Sequence, residues 1–177
     1  MEAISIENEL RNVVSRIIVQ VDLATKQGRL DVNLTLEDAL IPILKEVFQL
    51  PRLINLNAKQ RNYPGIDLGD EHDRIAIQVT STTNIEKVKK SIKVFLEHGF
   101  ESNFDELFIL VLSQKQKSYS QDAIDKITDG KIHFSAKSHI VDLSDVLAKI
   151  TAMRLPAQQR MLHEFKMILG DIDGYIQ

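Results

Sequence analysis

Residues 64–80 read Pro-Gly-Ile-Asp-Leu-Gly-Asp-Glu-His-Asp-Arg-Ile-Ala-Ile-Gln-Val-Thr, and they carry the strongest structural signal in the chain. A polar run at 70–73 separates an apolar stretch at 65–69 from a stretch at 74–80 in which apolar and polar side chains alternate. Two such stretches joined by a short polar loop are typical of a β-hairpin. The sequence therefore predicts antiparallel strands over 65–69 and 74–80 with a four-residue loop.

The position of the loop sets the register of this hairpin. With the loop at 70–73, Asp67 lies opposite Ala76 and diagonal to Gln78. Because side chains alternate between the faces of a sheet, the polar face is predicted to carry Asp67, Ala76, Gln78 and Thr80. The opposite face is predicted to carry Ile66, Leu68, Ile75, Ile77 and Val79. That apolar face is expected to pack against the core and to leave the polar face free for chemistry, whereas a slip by one residue would separate Asp67 from Gln78.

Helices and further strands are predicted on either side of the hairpin. A helix is expected from Thr35 to about Phe48, bent at Pro42 because proline lacks a backbone donor, and a short strand at 53–56. After the hairpin, Asn84 can cap a helix to about His98, and the apolar run 107–112 is typical of a buried strand. Because a crossover helix joins them, strands 74–80 and 107–112 are predicted to be parallel.

Both ends of the chain are predicted to be mainly helical. Apolar residues recur at steps of three and four between Ile6 and Val21, which predicts an amphipathic helix of about five turns. Downstream we expect a helix near 121–127, one or two strands within 132–141, and helices from about Leu143 and Ala157. Residues 1–170 are expected to form a single domain. Residues 171–177 are expected to be a linker or a truncated end, because their apolar side chains have no obvious partner.

The composition excludes several classes of protein. The 177 residues carry 22 basic and 25 acidic side chains, a net charge of -3, so any contact with a nucleic-acid backbone has to be local. The absence of cysteine excludes disulfides and thiolate zinc sites, and fits a reducing compartment. No secretion signal and no long uninterrupted apolar run is present, so we expect a cytoplasmic protein without membrane contact.

The predicted order from Thr35 onward is helix, strand, strand, strand, helix, strand, and this order resembles the core of the PD-(D/E)xK nuclease superfamily. The predicted fold class is therefore α/β, with a PD-(D/E)xK nuclease-like mixed sheet flanked by helices, an N-terminal amphipathic helix and C-terminal helices. In that superfamily an acid on the second core strand and an acid-x-lysine on the third meet at the hairpin. Asp67 matches the first acid, whereas Gln78-Val-Thr80 replaces the acid-x-lysine.

This resemblance implies a divalent-metal site with an altered set of residues. The amide oxygen of Gln78 can still bind a hard cation, but Thr80 cannot supply the charge of the missing lysine. Lys87, near the start of the next helix, is the candidate replacement, since lysines have migrated elsewhere in the superfamily. The implied ligands of Mg²⁺ or Mn²⁺ are Asp67, Gln78, the carbonyl of Val79 and Glu37, which is predicted to point inward from its helix. The implied catalytic residues are Asp67, Gln78, Thr80 and Lys87.

A second resemblance covers nearly the whole chain. Its motifs are Leu40-Ile-Pro-Ile-Leu44, Asn57, Pro64-Gly-Ile-Asp-Leu-Gly-Asp70, Ile75-Ala-Ile-Gln-Val-Thr-Ser81, Lys115-Gln-Lys-Ser-Tyr119 and His139-Ile-Val-Asp142, and as a set they are similar to the SMEK domain. That family typically forms the N-terminal module of larger bacterial proteins, some with STAND or NACHT ATPase parts in anti-phage defence. The resemblance implies an effector-type module of a larger multidomain protein.

Three functions remain open at this point. The first is a Mg²⁺- or Mn²⁺-dependent phosphodiesterase acting on DNA. The second is an inactive nuclease-fold domain that binds nucleic acid or protein, and the third is an oligomerising module that uses the N-terminal helix. We also expect a homodimer, because that helix has a long apolar stripe. Less specific interpretations compete with each site residue: Asp67 can be a turn residue, Glu37 can serve a helix N-terminus, and the lysines after residue 86 can form a solvated helix face.

Overall fold

A computed structural model describes residues 2–59 and 63–176 of the chain. Its helices are α1 (Glu2–Lys26), α2 (Asp31–Ala39), α3 (Ile41–Val47), α4 (Leu56–Lys59), α5 (Ile85–Glu97), α6 (Gln121–Thr128), α7 (Ala136–His139), α8 (Leu143–Thr151) and α9 (Leu155–Ile176). Its strands are β1 (Ile54–Asn55), β2 (Leu68–Asp70), β3 (Ile75–Thr80), β4 (Glu106–Val111) and β5 (Ile140–Asp142). Met1, residues 60–62 and Gln177 belong to the segments predicted as 1–170 and 171–177, and they lie outside the described residues.

The strands form one five-stranded mixed sheet in the order β1-β2-β3-β4-β5. β2 runs antiparallel to both β1 and β3, while β4 runs parallel to both β3 and β5. Helix α5 is the crossover between β3 and β4, so the parallel pairing follows from the connection. The predicted pairing of the three central strands is confirmed, and so is a mixed α/β class with flanking helices.

The hairpin is confirmed, but its register differs from the prediction by two residues. Gly69, not Asp67, lies opposite Ala76, and the loop occupies 71–74. The reason is that Asp70 belongs to β2: its carboxylate accepts hydrogen bonds from the backbone N–H groups of Arg52 (3.1 Å) and Asp73 (2.8 Å). A shift of two residues preserves the faces of the paired residues of β2 and β3, and Gln78 Nε2 still reaches the Asp67 carboxylate at 3.1 Å.

Helices cover both faces of the sheet. On one face Ile77, Val79 and Leu110 join the core formed with α1, α2, α3, α8 and α9. On the other face Ala76 and Ile109 pack in a second core with residues of α5 and α6. The prediction that the polar face is free is therefore wrong. Ile66, which is predicted on the first face, packs instead in the second core with Ala76. The end of this second face, at Gln78 and Thr80, borders a cleft.

The N-terminal helix is longer than predicted and its apolar stripe is used within the chain. α1 contacts α8 and α9, and the stripe from Ile6 to Val21 lies in the first core. Residues 171–177, expected to be a linker or a truncated end, continue α9 as far as Ile176, and Ile172 is fully buried. The stripe is consequently covered by this chain's own C-terminal helices.

The helix predicted from Thr35 to Phe48 is two helices, and the first begins earlier. α2 starts at Asp31, so Thr35 lies inside it and its hydroxyl donates to the carbonyl of Asp31 at 3.4 Å. The break falls at Leu40, because Pro42 occupies the first turn of α3, where its missing N–H costs nothing. α2 and α3 therefore follow separate axes.

Within 132–141 the structure contains a helical turn and one strand. Ser135 caps α7 by accepting from the N–H of Ser138, and the ring of His139 accepts from the N–H of Ser135 at 2.9 Å. Because α7 precedes β5, the prediction that His139 lies on a strand is wrong. Asp142 ends β5 and caps α8 in a capping box with Asp145. Both His139 and Asp142 have structural roles.

Asp142→Ala is expected to destabilise the domain by about 2 kcal/mol. The buried carboxylate accepts from the N–H groups of Asp145 (2.9 Å) and Lys115 (3.0 Å), and alanine would leave both donors unsatisfied. Urea unfolding of this variant beside Asp122→Ala, an exposed aspartate of α6, measures the difference. Equal unfolding midpoints for the two variants would contradict the expectation.

Candidate functional site

Asp67 occupies the last position before β2, where its backbone is held on both sides. Its N–H donates to the carbonyl of Ile77 at 3.0 Å, and its carbonyl accepts from the N–H of Leu56 at 3.0 Å. These bonds tie the residue to β3 and to the start of α4. The position of the carboxylate is thus fixed by the backbone and does not depend on a flexible loop.

The carboxylate of Asp67 also completes the edge of the hairpin. Its Oδ2 atom accepts from the backbone N–H of Val79 at 2.7 Å and from Nε2 of Gln78 at 3.1 Å. A side-chain oxygen therefore takes the place that a strand carbonyl would fill beyond Leu68. Asp67 therefore has a structural function in addition to any chemical one.

Glu37 approaches Asp67 from helix α2. Its side chain is buried, with 6% exposure, and forms a hydrogen bond with the Asp67 carboxyl group. The pKa of Glu37 is raised from 4.5 to about 8, chiefly by burial, with smaller contributions from the charge and hydrogen bond of Asp67 and from the charge of Asp38. At neutral pH Glu37 therefore holds a proton that it shares with Asp67.

The pKa of Asp67 is also raised, and burial is the main cause. Four interactions act in the opposite direction: hydrogen bonds from Val79, Glu37 and Asn57, and the positive charge of Lys87. These donors favour the ionised form of Asp67, whereas Glu37 lacks comparable support. Asp67 is consequently the ionised member of the pair at neutral pH and Glu37 the protonated one.

The side-chain amide of Gln78, which lines the cleft, has one polar atom without a hydrogen-bond partner. Its Nε2 donates to Asp67, with a longer contact of 3.4 Å to the carbonyl of Val79, while its Oε1 is buried without a hydrogen-bond partner. In the reversed amide orientation the oxygen would face Asp67 Oδ2, which repels it unless a cation or proton lies between them. Either orientation leaves an oxygen in need of a positive partner.

The oxygen donors around this point fit a hard divalent cation. Carboxylate oxygens of Asp67 and Glu37, the amide oxygen of Gln78 and the carbonyl of Val79 are the ligand types that Mg²⁺ and Mn²⁺ prefer. Within residues 2–59 and 63–176, however, no group of three His, Cys, Asp or Glu side chains is arranged to hold a metal. A cation here would rely on neutral oxygens for much of its coordination.

Lys87 and Thr80 differ in what they offer to the site. Lys87, in the first turn of α5, lines the cleft, and its charge lowers the pKa of Asp67. Thr80 is buried, and its hydroxyl accepts from the N–H of Thr82 at 3.0 Å, so it is engaged in the turn that ends β3. The structure thus brings Glu37, Asp67, Gln78 and Lys87 together, while Thr80 serves the backbone.

The cleft has a volume of about 450 Å³ and lies between α2, the end of β3 and the start of α5. Six residues of the cleft are not among the candidate site residues that the sequence indicates: Leu30, Asp31, Asn33, Leu34, Ser81 and Thr82. Asn33 Nδ2 donates to Ser81 Oγ at 3.0 Å, which ties α2 to the end of β3. The spacing of residues 30, 33, 34 and 37 marks one helix face, but a helix start predicted at Thr35 hides it.

A sequence model of the SMEK domain family matches residues 9–151 of the chain. Comparisons with curated proteins and with solved structures give no significant match. Among the helices that the structure describes, none combines the length and the apolar character needed to cross a membrane. The matched range includes the cleft residues from both α2 and the hairpin.

The shared proton predicts that stability falls as pH rises from about 5 to 8. In this range the unfolded chain releases the Glu37 proton while the folded chain keeps it, because the folded pKa is the higher one. Glu37→Gln preserves a donor to Asp67 and removes the titration. Between the two pH values, we expect the melting temperature of the wild type to fall by about 3 °C more than that of the variant.

Thermal unfolding monitored by circular dichroism measures this difference. Glu86→Gln, at an exposed position of α5, is the matched control and is expected to follow the wild type. Parallel profiles for the wild type and Glu37→Gln would show that Glu37 is not the protonated member of a buried pair.

Proposed function

The chain belongs to the SMEK domain family, and on that premise we propose that it is a metal-dependent phosphodiesterase that acts on DNA through an altered nuclease-type site. One observation carries the proposal: Glu37, Asp67 and Gln78, which come from a helix, a turn and a strand, line a single cleft with Lys87. Convergence of acidic and amide oxygens beside a lysine is the arrangement that phosphodiester hydrolysis needs.

Each residue has a definite role in this proposal. Asp67, Glu37, the amide oxygen of Gln78 and the carbonyl of Val79 would hold Mg²⁺ or Mn²⁺. Such a cation, when bound, supplies an activated water and neutralises charge on the phosphate. Lys87 approaches Asp67 from the far side of the cleft and stabilises the charge that develops on a phosphate oxygen.

The altered acid set has two consequences for activity. Gln78 contributes no negative charge, so affinity for the cation is weak, and Mn²⁺ binds better than Mg²⁺ because it tolerates neutral donors more readily. Glu37 must lose its proton before its carboxylate can act as a ligand, since its pKa is about 8. Activity is therefore expected to rise with pH up to about 8.

The topology supports assignment to the PD-(D/E)xK nuclease-like fold. The chain order of α2, β1, β2, β3, α5 and β4 includes an antiparallel hairpin followed by a parallel strand through a crossover helix. In the proposed correspondence β2 and β3 provide the two motif strands, and α2 provides the first-helix acid. Asp67 then stands directly before β2, the second core strand, and contacts Gln78 on β3, the third core strand.

The wider context of the proposal comes from the family. We propose that the domain is an effector-type module of a larger bacterial protein with a role in anti-phage defence, and that it acts as a homodimer. The α1 stripe does not support the dimer, since α8 and α9 cover it. A third function, an oligomerising module built on that stripe, loses its basis for the same reason.

A second candidate function is an inactive nuclease-fold domain that binds nucleic acid or protein. It is favoured by Thr80, which stands at the motif lysine and whose hydroxyl is used within its own turn. The structural bonds of Asp67 to Val79 and Gln78 also explain a carboxylate at this place without catalysis. Measurements of metal binding and turnover separate the two candidates.

Asp67→Asn is expected to reduce Mn²⁺ affinity and Mn²⁺-dependent DNA cleavage by a factor of roughly 100. Asparagine keeps an oxygen that can accept from Val79 and Gln78, so the fold should persist while the charge is lost. Calorimetric titration with Mn²⁺ and a cleavage assay on plasmid DNA provide the two measurements. Asp122→Asn, on the exposed side of α6, is the matched control.

The same assays define the outcome against the proposal. If the wild type binds no Mn²⁺ at millimolar concentration, or if Asp67→Asn retains full cleavage, the phosphodiesterase assignment fails. Mn²⁺-independent DNA binding by a wild type without cleavage would support the second candidate.

Lys87→Ala is expected to lower the cleavage rate about tenfold with a smaller effect on Mn²⁺ affinity. Lys87→Arg should restore part of the rate. Lys90→Ala, one turn further along α5 and exposed, serves as the control, and an equal loss in both alanine variants would assign the effect to general charge.

A further inference from the structure

Two large apolar side chains stand exposed in the wall of the cleft. Leu30 and Leu34 are 60% and 64% exposed, and both line the cleft that contains Glu37 and Asp67. The core contacts of α2 come from Val32 and Leu36 on its other side. The two leucines therefore contribute little to packing, and their position needs another explanation.

The leucines and one of the acids share a single face of α2. Residues 30, 34 and 37 follow the three- and four-residue spacing that places side chains one above another on a helix. The hydrogen bond from Asn33 to Ser81 holds this face against the end of β3. Leu30, Leu34 and Glu37 consequently line the same cleft from one helix face.

The opposite side of the cleft has a different chemistry. Lys87 supplies a positive charge there, whereas Lys89 and Lys93 of the same helix pair with Glu86 and Glu97. Lys87 is thus the cationic residue in the lining of the cleft, while α2 contributes Leu30 and Leu34 together with the polar residues Asp31 and Asn33. A nucleotide has matching parts, because it carries an anionic phosphate next to a base with an apolar face.

We propose that this cleft binds a single-stranded segment of DNA, with the phosphate beside Lys87 and an unpaired base against Leu30 and Leu34. The inference rests on the proposed function and adds the strandedness of its substrate. Contact of a base face with the leucines removes apolar surface of both partners from water.

A continuous DNA duplex does not place its bases against Leu30 and Leu34. Its bases are stacked inside the helix, and the surface that it presents to a cleft is the charged backbone. If the leucines faced phosphate groups, no apolar surface of the DNA would be buried against them. The leucines would also remove water from the charged phosphates, which costs free energy. Duplex binding also depends on many lysine or arginine contacts, and this chain has a net charge of -3. An unpaired base compensates for the small number of cations.

Binding and cleavage are measured separately, so that this inference can fail without the proposed function. Fluorescence anisotropy with EDTA at about pH 6, where Glu37 is protonated, reports binding of a labelled oligodeoxynucleotide of roughly twelve nucleotides and of its duplex. The variants are Leu30→Gln, Leu34→Gln and both together, since glutamine and leucine have similar helix propensity. Leu23→Gln, at a 50% exposed leucine of α1 outside the cleft, is the matched control.

The wild type is expected to bind the single strand at least tenfold more tightly than the duplex. The double variant should lose roughly tenfold of its single-strand affinity, while its duplex affinity and the Leu23→Gln control stay unchanged. Cleavage in Mn²⁺ should follow the same preference. The leucine dependence of single-strand binding in EDTA supports the inference even where cleavage is not observed.

Three results would overturn the inference. One is equal affinity of the wild type for single strand and duplex, or no measurable affinity for either. Another is a double variant whose affinity for the single strand is unchanged. That result overturns the inference even if the protein cleaves duplex DNA efficiently. The third is a dimer in sedimentation that the leucine variants convert to a monomer without a change in DNA affinity, which would identify the wall as an interface between copies of the chain.

Discussion

The rest of this structure depends on the hydrogen bond that the N–H of Val79 donates to the carboxylate of Asp67. It joins the chain before β2 to the second half of β3, at the point where the backbone ladder has ended. Without it, a buried strand donor would be left unsatisfied, a loss of about 1–3 kcal/mol. The same bond fixes a carboxylate within reach of Glu37 and Gln78, so the geometry of the cleft follows from the closure of the hairpin.

Placing a second carboxyl group beside this one has a cost that the fold does not remove. Glu37 is buried next to Asp67, and the pair is stable at neutral pH only because a proton stays on Glu37. An apolar residue at position 37 would pack against the same surroundings without that restriction. A buried carboxyl pair that lowers stability above about pH 5, with one member on α2 and the other directly before β2, is a feature that functional sites often have.

The sequence is informative where a pattern has only one physical solution. The prediction that Asp67 and Gln78 lie together remains correct although the predicted register is wrong by two residues. A shift of two residues equals one period of a strand, so it does not change which face a paired residue occupies. The start of α2 is missed because Leu30, at its N-cap, makes no side-chain cap and therefore gives no signal. Residues 136–139 are mistaken for a strand although Ser135 carries the capping signal. The orphaned oxygen of Gln78 has no sequence signal, since it depends on packing between distant segments.

The break at Leu40 explains how α2 can serve the core and the cleft together. In one continuous helix Glu37 would continue the stripe of Ile41 and Leu44, and all three would face the first core. The chain breaks at Leu40, before Pro42: α3 packs on α8 and α9, while α2 contacts both α9 and β3. Val32 and Leu36 then fill the core, and the remaining face presents Glu37 with the two exposed leucines to the same cleft. Glu37 and the two leucines are consequently positioned by one helix, so a change in the tilt of α2 would move the acid and the apolar side chains of the cleft together.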